Sequence, residues 1–350
     1  MLTFILSIIC YCFFTFFFYQ YFYMIDHKYR WIRALLAMVF AFPALDVHSL
    51  CFIFELHFIF FSLCIKGISL FRKRNHSFQK RNVVLISISL LLTFAWIGYG
   101  SYNMLHIQRT SYLVETKKEL TKNYRFLFLS DLHYPTTMQA SDLKQLTSRL
   151  EKEPADMLFL GGDIIDEYTT VSEIEEVFSI LGKLSETIPV YYVFGNHDQG
   201  KYGWQQQMSK TQFKNCIRSS GIQVLEDDAV LFNQEILIFG RKELSDPTRR
   251  QTIPLTHDDF YTIVLDHQPK DLKVCSQQSA DLHLSGHTHA GQIFPLYYLY
   301  EWFSINELNA GQEQIGMMTA INSSGAAGWG FPLRTQGSSE YVVIDLVERS

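Results

Sequence analysis

The sequence predicts an α/β sandwich preceded by an N-terminal bundle of about four transmembrane helices. Three observations predict it. The 350-residue chain is 48% hydrophobic, high for a wholly soluble protein. Its long uncharged apolar runs are confined to the first third. After residue 123, short apolar runs alternate with amphipathic segments, and each apolar run ends in Asp, His or Asn.

Charge divides the chain near residue 110. Residues 1–110 hold ten Lys/Arg against three acids, a net of +7, so with −5 overall the remainder carries −12. Within the basic part, Leu2 to Ile25 is an uncharged apolar run, longer than a signal-peptide core and without a small-residue cleavage site after it. Val83 to Leu105 is a second, with Trp96, Tyr99 and Tyr102 towards its end, where aromatic rings favour the bilayer interface. Between them lies an apolar stretch broken around Pro43, Asp46, His48 and Ser49. Lys28, Arg30 and Arg33 form one basic loop and "FRKRNHSFQKRN" (71–82) another. Positive loops stay cytoplasmic, so the stretch between them is expected to cross twice, giving spans at about 2–25, 32–48, 49–70 and 83–105. That count makes the chain a multi-pass protein of the cell membrane with everything after residue 110 outside the cytoplasm. Glu55 and His57 inside a span are read as polar contacts between helices or as a functional pair.

Residues 111–122 look like a polar linker to a domain over 123–350. Cys10, Cys12, Cys51 and Cys64 fall in spans and act as small apolar residues. Cys216 and Cys275 fall in the second part, where an oxidising compartment would permit a disulfide.

From Tyr124 onward the strand candidates are "RFLFLSDLH", "DMLFLGGDIID", "VYYVFGNHD", "YTIVLDHQP" and "DLHLSGHTH". Segments such as "SDLKQLTSRLEKE" and "VSEIEEVFSILGKLSE" have helical spacing between them. Ligands of such sheets gather where strands end, so five polar clusters would converge. Carboxylates, an amide oxygen and several imidazoles suit Mn, Fe or Zn rather than the all-oxygen shells of Ca or Mg. The set is too large for one ion. Two ions bridged by a carboxylate would use it all.

These residues carry a resemblance. Asp131-Leu132-His133, Gly162-Asp163, Gly195-Asn196-His197-Asp198, His267 and Gly286-His287-Thr288-His289 stand in the order of the blocks D-x-H, G-D, G-N-H-D, H and G-H-x-H. The chain resembles the calcineurin-like metallophosphoesterases over roughly residues 123–346. "GHTHAGQ", "DHQP" and the terminal "SSG…PLR" look like their membrane-attached or exported branch, similar to bacterial phosphodiesterases and UDP-2,3-diacylglucosamine pyrophosphatases. The resemblance implies a calcineurin-like αββα sandwich. It also implies a first ion on Asp131, His133 and His289, a second on Asn196, His267 and His287, and Asp163 between them. Manganese is the leading metal, with Fe or Zn as alternatives. His197, oriented by Asp198, would protonate or stabilise the leaving oxygen. In an extended segment His287 and His289 would point the same way and reach different ions.

The implied activity is hydrolysis of a phosphodiester or pyrophosphate, lipid-linked or small, at a membrane surface. A phosphomonoesterase, including a phosphoprotein phosphatase, and a non-catalytic metal-binding sensor are the alternatives; the intact ligand set speaks against the last. The −12 part would repel nucleic acid, and the oligomeric state is left open. Arg334 is expected at a substrate phosphate or in a structural ion pair. His283 reads as a core or face residue, and Asp166 and Glu167 as solvated. "IFPLYYLYEWF" (293–303) reads equally as a core element or as an aromatic lip dipping into the leaflet.

Overall fold

A computed structural model describes residues 2–23, 28–47, 49–70, 78–200, 208–253 and 259–349. The chain divides into two compact units, Met1–Gly100 and Ser101–Ser350.

The first unit holds helices α1 (Leu2–Tyr23), α2 (Arg30–Phe40), α3 (Leu50–Leu70) and most of α4 (Phe78–Leu105). Three of these are long and apolar enough to cross a membrane, over Phe4–Tyr23, Leu50–Ile68 and Val83–Leu105. The expectation of four spans is therefore corrected to three. At 1.5 Å per residue, the 11 residues of α2 reach only about 16 Å, half of a bilayer core. Helix α2 then gives way to a 3₁₀ turn, Phe42–Leu45, at Pro43, whose ring cannot continue an α-helix. The argument that placed the second half outside the cytoplasm loses its basis with the fourth span. His48 and the basic residues 71–77 lie outside the described residues.

Aromatic contacts hold the helices together: Phe14 stacks on Phe52, Phe18 on Phe58, and Phe54 meets Phe94 at 5.0 Å. Ala37, Ala41 and Ala44 are fully buried where the short helix and the 3₁₀ turn pack closely. Glu55 and His57 are buried, and His57 Nδ1 donates to the Ile53 carbonyl one turn back, a bond local to the helix.

The second unit runs β1 (Gln108–Thr116), β2 (Tyr124–Leu129), α5 (Ala140–Leu150), β3 (Met157–Leu160), α6 (Val171–Gly182), β4 (Val190–Tyr192), α7 (Lys210–Ser219), β5 (Gln223–Val224), β6 (Asp228–Phe232), β7 (Ile236–Gly240), β8 (Tyr261–Leu265), α8 (Leu272–Gln277), β9 (Leu282–Ser285), α9 (Leu296–Trp302), β10 (Gly311–Ile315), β11 (Met318–Asn322) and β12 (Glu340–Glu348). The strands form two mixed six-stranded sheets, ordered β1-β12-β2-β3-β4-β5 and β10-β11-β9-β8-β7-β6. An α/β sandwich is the result.

Side-chain alternation explains the layers. Along β2, Phe126 and Phe128 point into the core between the sheets, where they meet Phe159, Leu265 and Leu284. Leu127 and Leu129 point outward, under Leu143 and Leu146 of α5 and Phe178 of α6. On the other sheet Val264 and Ala320 face outward beneath Leu272 and Cys275 of α8. Helix α6 opens on a capping box, Thr170 Oγ1 accepting from the Glu173 N–H while the Glu173 carboxylate accepts from Thr170 N–H.

Two local expectations change here. The first half of the stretch read as a linker lies in β1, an edge strand pairing in parallel with β12 from Gln108↔Glu340 to Thr116↔Glu348. Its outer residues are exposed, and no apolar run marks it. Cys216 and Cys275 are both free. Cys216 sits on α7 outside the first sheet and Cys275 on α8 outside the second, so the sandwich itself keeps them apart.

Candidate metal centre

Five parallel-paired strands deliver the site. β2, β3 and β4 lie side by side in one sheet, β8 and β9 in the other, and the polar clusters follow their C-terminal ends. The turns after β2 and β3 are tied together, Leu132 N–H and His133 N–H donating to the Asp163 carbonyl. Asp131, His133, Asp163, Asn196 and His267 are almost wholly buried.

Three of the imidazoles are fixed from behind. His133 Nδ1 lies 2.7 Å from Asp166 Oδ1, His267 Nδ1 is 2.8 Å from the Gly161 carbonyl, and His289 Nδ1 is 3.2 Å from the Ala327 carbonyl. A carbonyl or carboxylate at Nδ1 keeps the hydrogen there and leaves the Nε2 lone pair pointing inward. His133 Nε2 and His289 Nε2 then face one another at 3.2 Å. His267 Nε2 faces His287 Nδ1 at 3.2 Å, Asp163 Oδ2 at 3.0 Å and Asn196 Oδ1 at 3.0 Å. Opposed lone pairs and carboxylate oxygens repel without positive charge between them. The donor set fits cations.

Among the described residues three groupings could hold a metal ion: Asp131 with His133 and His289, Asp163 with His267 and His287, and His133 with Asp166 and His197. His287 and His289 fall in different groupings, and their local conformation is not the extended one expected. His287 (φ 74°) and His289 (φ 50°) are left-handed, not extended, and so are Asp131 (φ 58°), His133 (φ 47°) and Asp163 (φ 50°). Strained backbone at five donors marks a segment shaped for function rather than for regular pairing. Gly286 serves the same approach: a Cβ there would collide with the Asp131 carboxylate and Ser130 Oγ.

The protonation balance of the cluster also calls for positive charge. Burial opposes the charged form of His267, yet Asp163 and Asp131 push it up to about 10. Burial is likewise outweighed at His133, which Asp166, Asp163 and Asp131 raise to about 9. Asp163 is held below the usual carboxylate range, its burial overcome by His267, whereas Asp131 is raised, chiefly by burial. His289 is depressed, by burial first and then by His133 beside it.

Other predicted residues take different places. The Asp198 carboxylate accepts main-chain N–H groups from Asp163, Ile164, Ile165 and Gly195 at 2.7–3.1 Å, locking the β3 turn to the β4 turn. Burial raises its pKa to about 6. The carboxylate beside the His197 ring is Glu167, with Oε1 2.6 Å from Nδ1, and Asp166 lies 3.6 Å away. Asp166 and Glu167, expected in solvent, are buried at the site. Their position in "GGDIIDE", one short loop beyond Asp163, is the signal that points to them. Arg334 is fully buried, and its Nη atoms donate to the carbonyls of His289, Ser324, Ala327 and Ser338. It braces the His289 turn. Gln268 bridges Asn196 and Glu243, and Arg249 grips Asp266, next to His267, with both Nη atoms. Trp329 stands 5.7 Å from the His197 ring.

The calcineurin-like phosphoesterase family profile matches residues 124–291, which hold every donor named above. Residues 124–291 are thus similar to the calcineurin-like phosphoesterases. An uncharacterized metallophosphoesterase of Helicobacter pylori strain J99 is 27% identical over 314 residues, covering 87% of this chain and 80% of its own. A transmembrane protein with metallophosphoesterase domain from Danio rerio is 26% identical, covering 93% and 76%. Phosphodiesterase YaeI of Escherichia coli is 28% identical over 181 residues, covering 50% and 64%. The residues that match the profile follow, in chain order, three helices long and apolar enough to cross a membrane.

Proposed function

We propose that this chain is a membrane-anchored hydrolase of phosphodiester or pyrophosphate bonds, using two divalent ions and acting on a lipid-linked or small substrate. The observation that carries the reading is the pair of donor groups, Asp131–His133–His289 and Asp163–His267–His287, with inward lone pairs opposed at 3.2 Å in each. Asp131, His133 and His289 would hold one ion, Asn196, His267 and His287 the other, with Asp163 shared. Mixed carboxylate, amide and imidazole donors favour Mn, with Fe or Zn next. A cation pair lowers the pKa of water and neutralises charge on phosphoryl oxygens.

The chain's own groups do the rest. His197 donates a proton to the leaving oxygen from Nε2, and Glu167 at Nδ1 stabilises the imidazolium. Asp198 and Arg334 hold the turns that carry the donors. The diester preference draws support from the name of the Escherichia coli relative.

Full-length protein loaded with Mn is to be assayed on bis-nitrophenyl phosphate, nitrophenyl phosphate and a lipid pyrophosphate, beside Asp163→Ala. Hydrolysis of the first or third at a rate at least tenfold above the second, abolished in the variant, is expected. Turnover of the monoester alone would replace this reading with a monoesterase. Undiminished hydrolysis by the Asp163 variant would remove the metal centre from the mechanism.

A further inference from the structure

Helix α9, the aromatic stretch that follows the His287–His289 turn, has none of its seven residues buried. Trp302 is 77% exposed and Phe303 73%, with Tyr298 and Ile305 about half exposed beside them. The helix's one charged residue, Glu301, accepts a hydrogen bond from Asn309 at 2.5 Å. Large aromatic side chains grouped on a surface mark an interaction site. Ile293 is buried, whereas Tyr298, Trp302 and Phe303 are exposed and take no part in the core.

Its neighbours indicate what it meets. The last turn of α4, where a 23-residue apolar helix ends, donates from Asn103 Nδ2 to the carbonyls of Arg334 (3.1 Å) and Gly337 (2.6 Å). The start of α9 grips the same segment: Phe294 N–H donates to Thr335 Oγ1 (3.0 Å) and Tyr297 N–H to Gln336 Oε1 (3.1 Å). From Arg334 to Gly337 is at most about 10 Å of chain. Tyr102 and Leu105, on that last turn of α4, are exposed as well. Within the second unit, the aromatic helix therefore shares the 334–337 segment with residues 101–105, the last turn of α4, and Trp, Tyr and Phe are the side chains that settle at a bilayer interface.

We propose that α9 and the residues up to Ile305 lie in the interfacial layer of the bilayer, with Trp302 and Phe303 inserted among the lipids. This surface sets the His287–His289 turn at the headgroup level, a consequence that rests on the hydrolytic reading above; the insertion itself does not. Full-length protein in nanodiscs of ordinary lipid, and of lipid brominated near the headgroup end of its acyl chains, is to be compared with Trp302→Phe. The emission that the substitution removes should be blue-shifted and at least halved in the brominated discs. Ile305→Trp in the Trp302→Phe background should restore a quenched component. A difference spectrum that is red-shifted and equal in both discs, or an unquenched tryptophan at 305, would overturn the insertion whatever the activity of the protein.

Discussion

His133 and His289 meet nitrogen to nitrogen at 3.2 Å, each ring held from behind by an acceptor at its other nitrogen, Asp166 for His133 and the Ala327 carbonyl for His289. Two lone pairs so placed repel, and either a proton on His133, whose pKa is raised to about 9, or a metal cation between the rings relieves the repulsion. Ligand binding to the folded state alone stabilises it, by about 2.7 kcal/mol at a hundred times Kd. For a unit of 250 residues that corresponds to about 5–10 °C in Tm. Stripping divalent ions with a chelator should lower Tm by that amount, and adding Mn should restore it. An unchanged Tm in protein shown by elemental analysis to have lost its metal would contradict the role given to this pair.

Asp166 acts on metal through His133. Removing the acceptor frees the ring to flip or to change tautomer, and outer partners of this kind are typically worth 10–100-fold in metal affinity. Asp166→Ala should weaken Mn binding in that range in titrations of metal-depleted protein, with Tm in excess metal close to the parent's. Asp142→Ala, a carboxylate in the first turn of α5, is the control and should leave affinity unchanged.

Glu167 and Asp198 separate two tasks that the sequence assigns to one residue. Glu167→Gln should lower kcat about tenfold or more while metal content stays at the parent level, because it removes the charge beside His197 and no donor of the cluster. Asp198→Ala leaves the N–H groups of Asp163, Ile164, Ile165 and Gly195 without their acceptor. Unpaired buried donors cost roughly 1–3 kcal/mol each. A total of at least about 3 kcal/mol should appear as a fall in Tm of about 6–12 °C. Equal kcat losses and equal stability losses in the two variants would refute the division.

The five strand-end clusters were legible because each follows an apolar run whose alternating faces pack on both sides, as Phe126 and Leu127 do. Burial of Asp166 and Glu167 was not. Nothing in a local pattern distinguishes a carboxylate turned into a cleft from one in solvent; the distinction comes from His133 and His197, on the turns after the strands either side of β3. Edge strand β1 was missed for a related reason, its outer face being polar. The division of His287 and His289 between two ions is what the resemblance implies; the extended segment expected to carry it is a left-handed turn instead. In the membrane part, charge balance counted a crossing where Pro43 and an 11-residue helix leave too little length.

His283 provides a test remote from the cluster. It lies on β9 between Val264 of β8 and Ala320 of β11, fully buried, and among the described residues neither ring nitrogen has a hydrogen-bond partner. Burial, together with Arg241 and Arg249 against the pull of Asp266, depresses its pKa to about 4. An unfolded histidine titrates near 6.5. Between those values the unfolded chain binds the proton and the folded one does not, so stability falls as pH falls from about 6.5 to about 4 and is unaffected by this group above that window. The full effect is on the order of 3 kcal/mol. His283→Leu removes the titration and fills the same apolar layer. Its Tm should match or exceed the parent's at pH 7, and the gap in its favour should widen steadily down to pH 4. Parallel Tm curves for the two proteins across that window would mean that His283 takes up its proton in the folded state as readily as in the unfolded one.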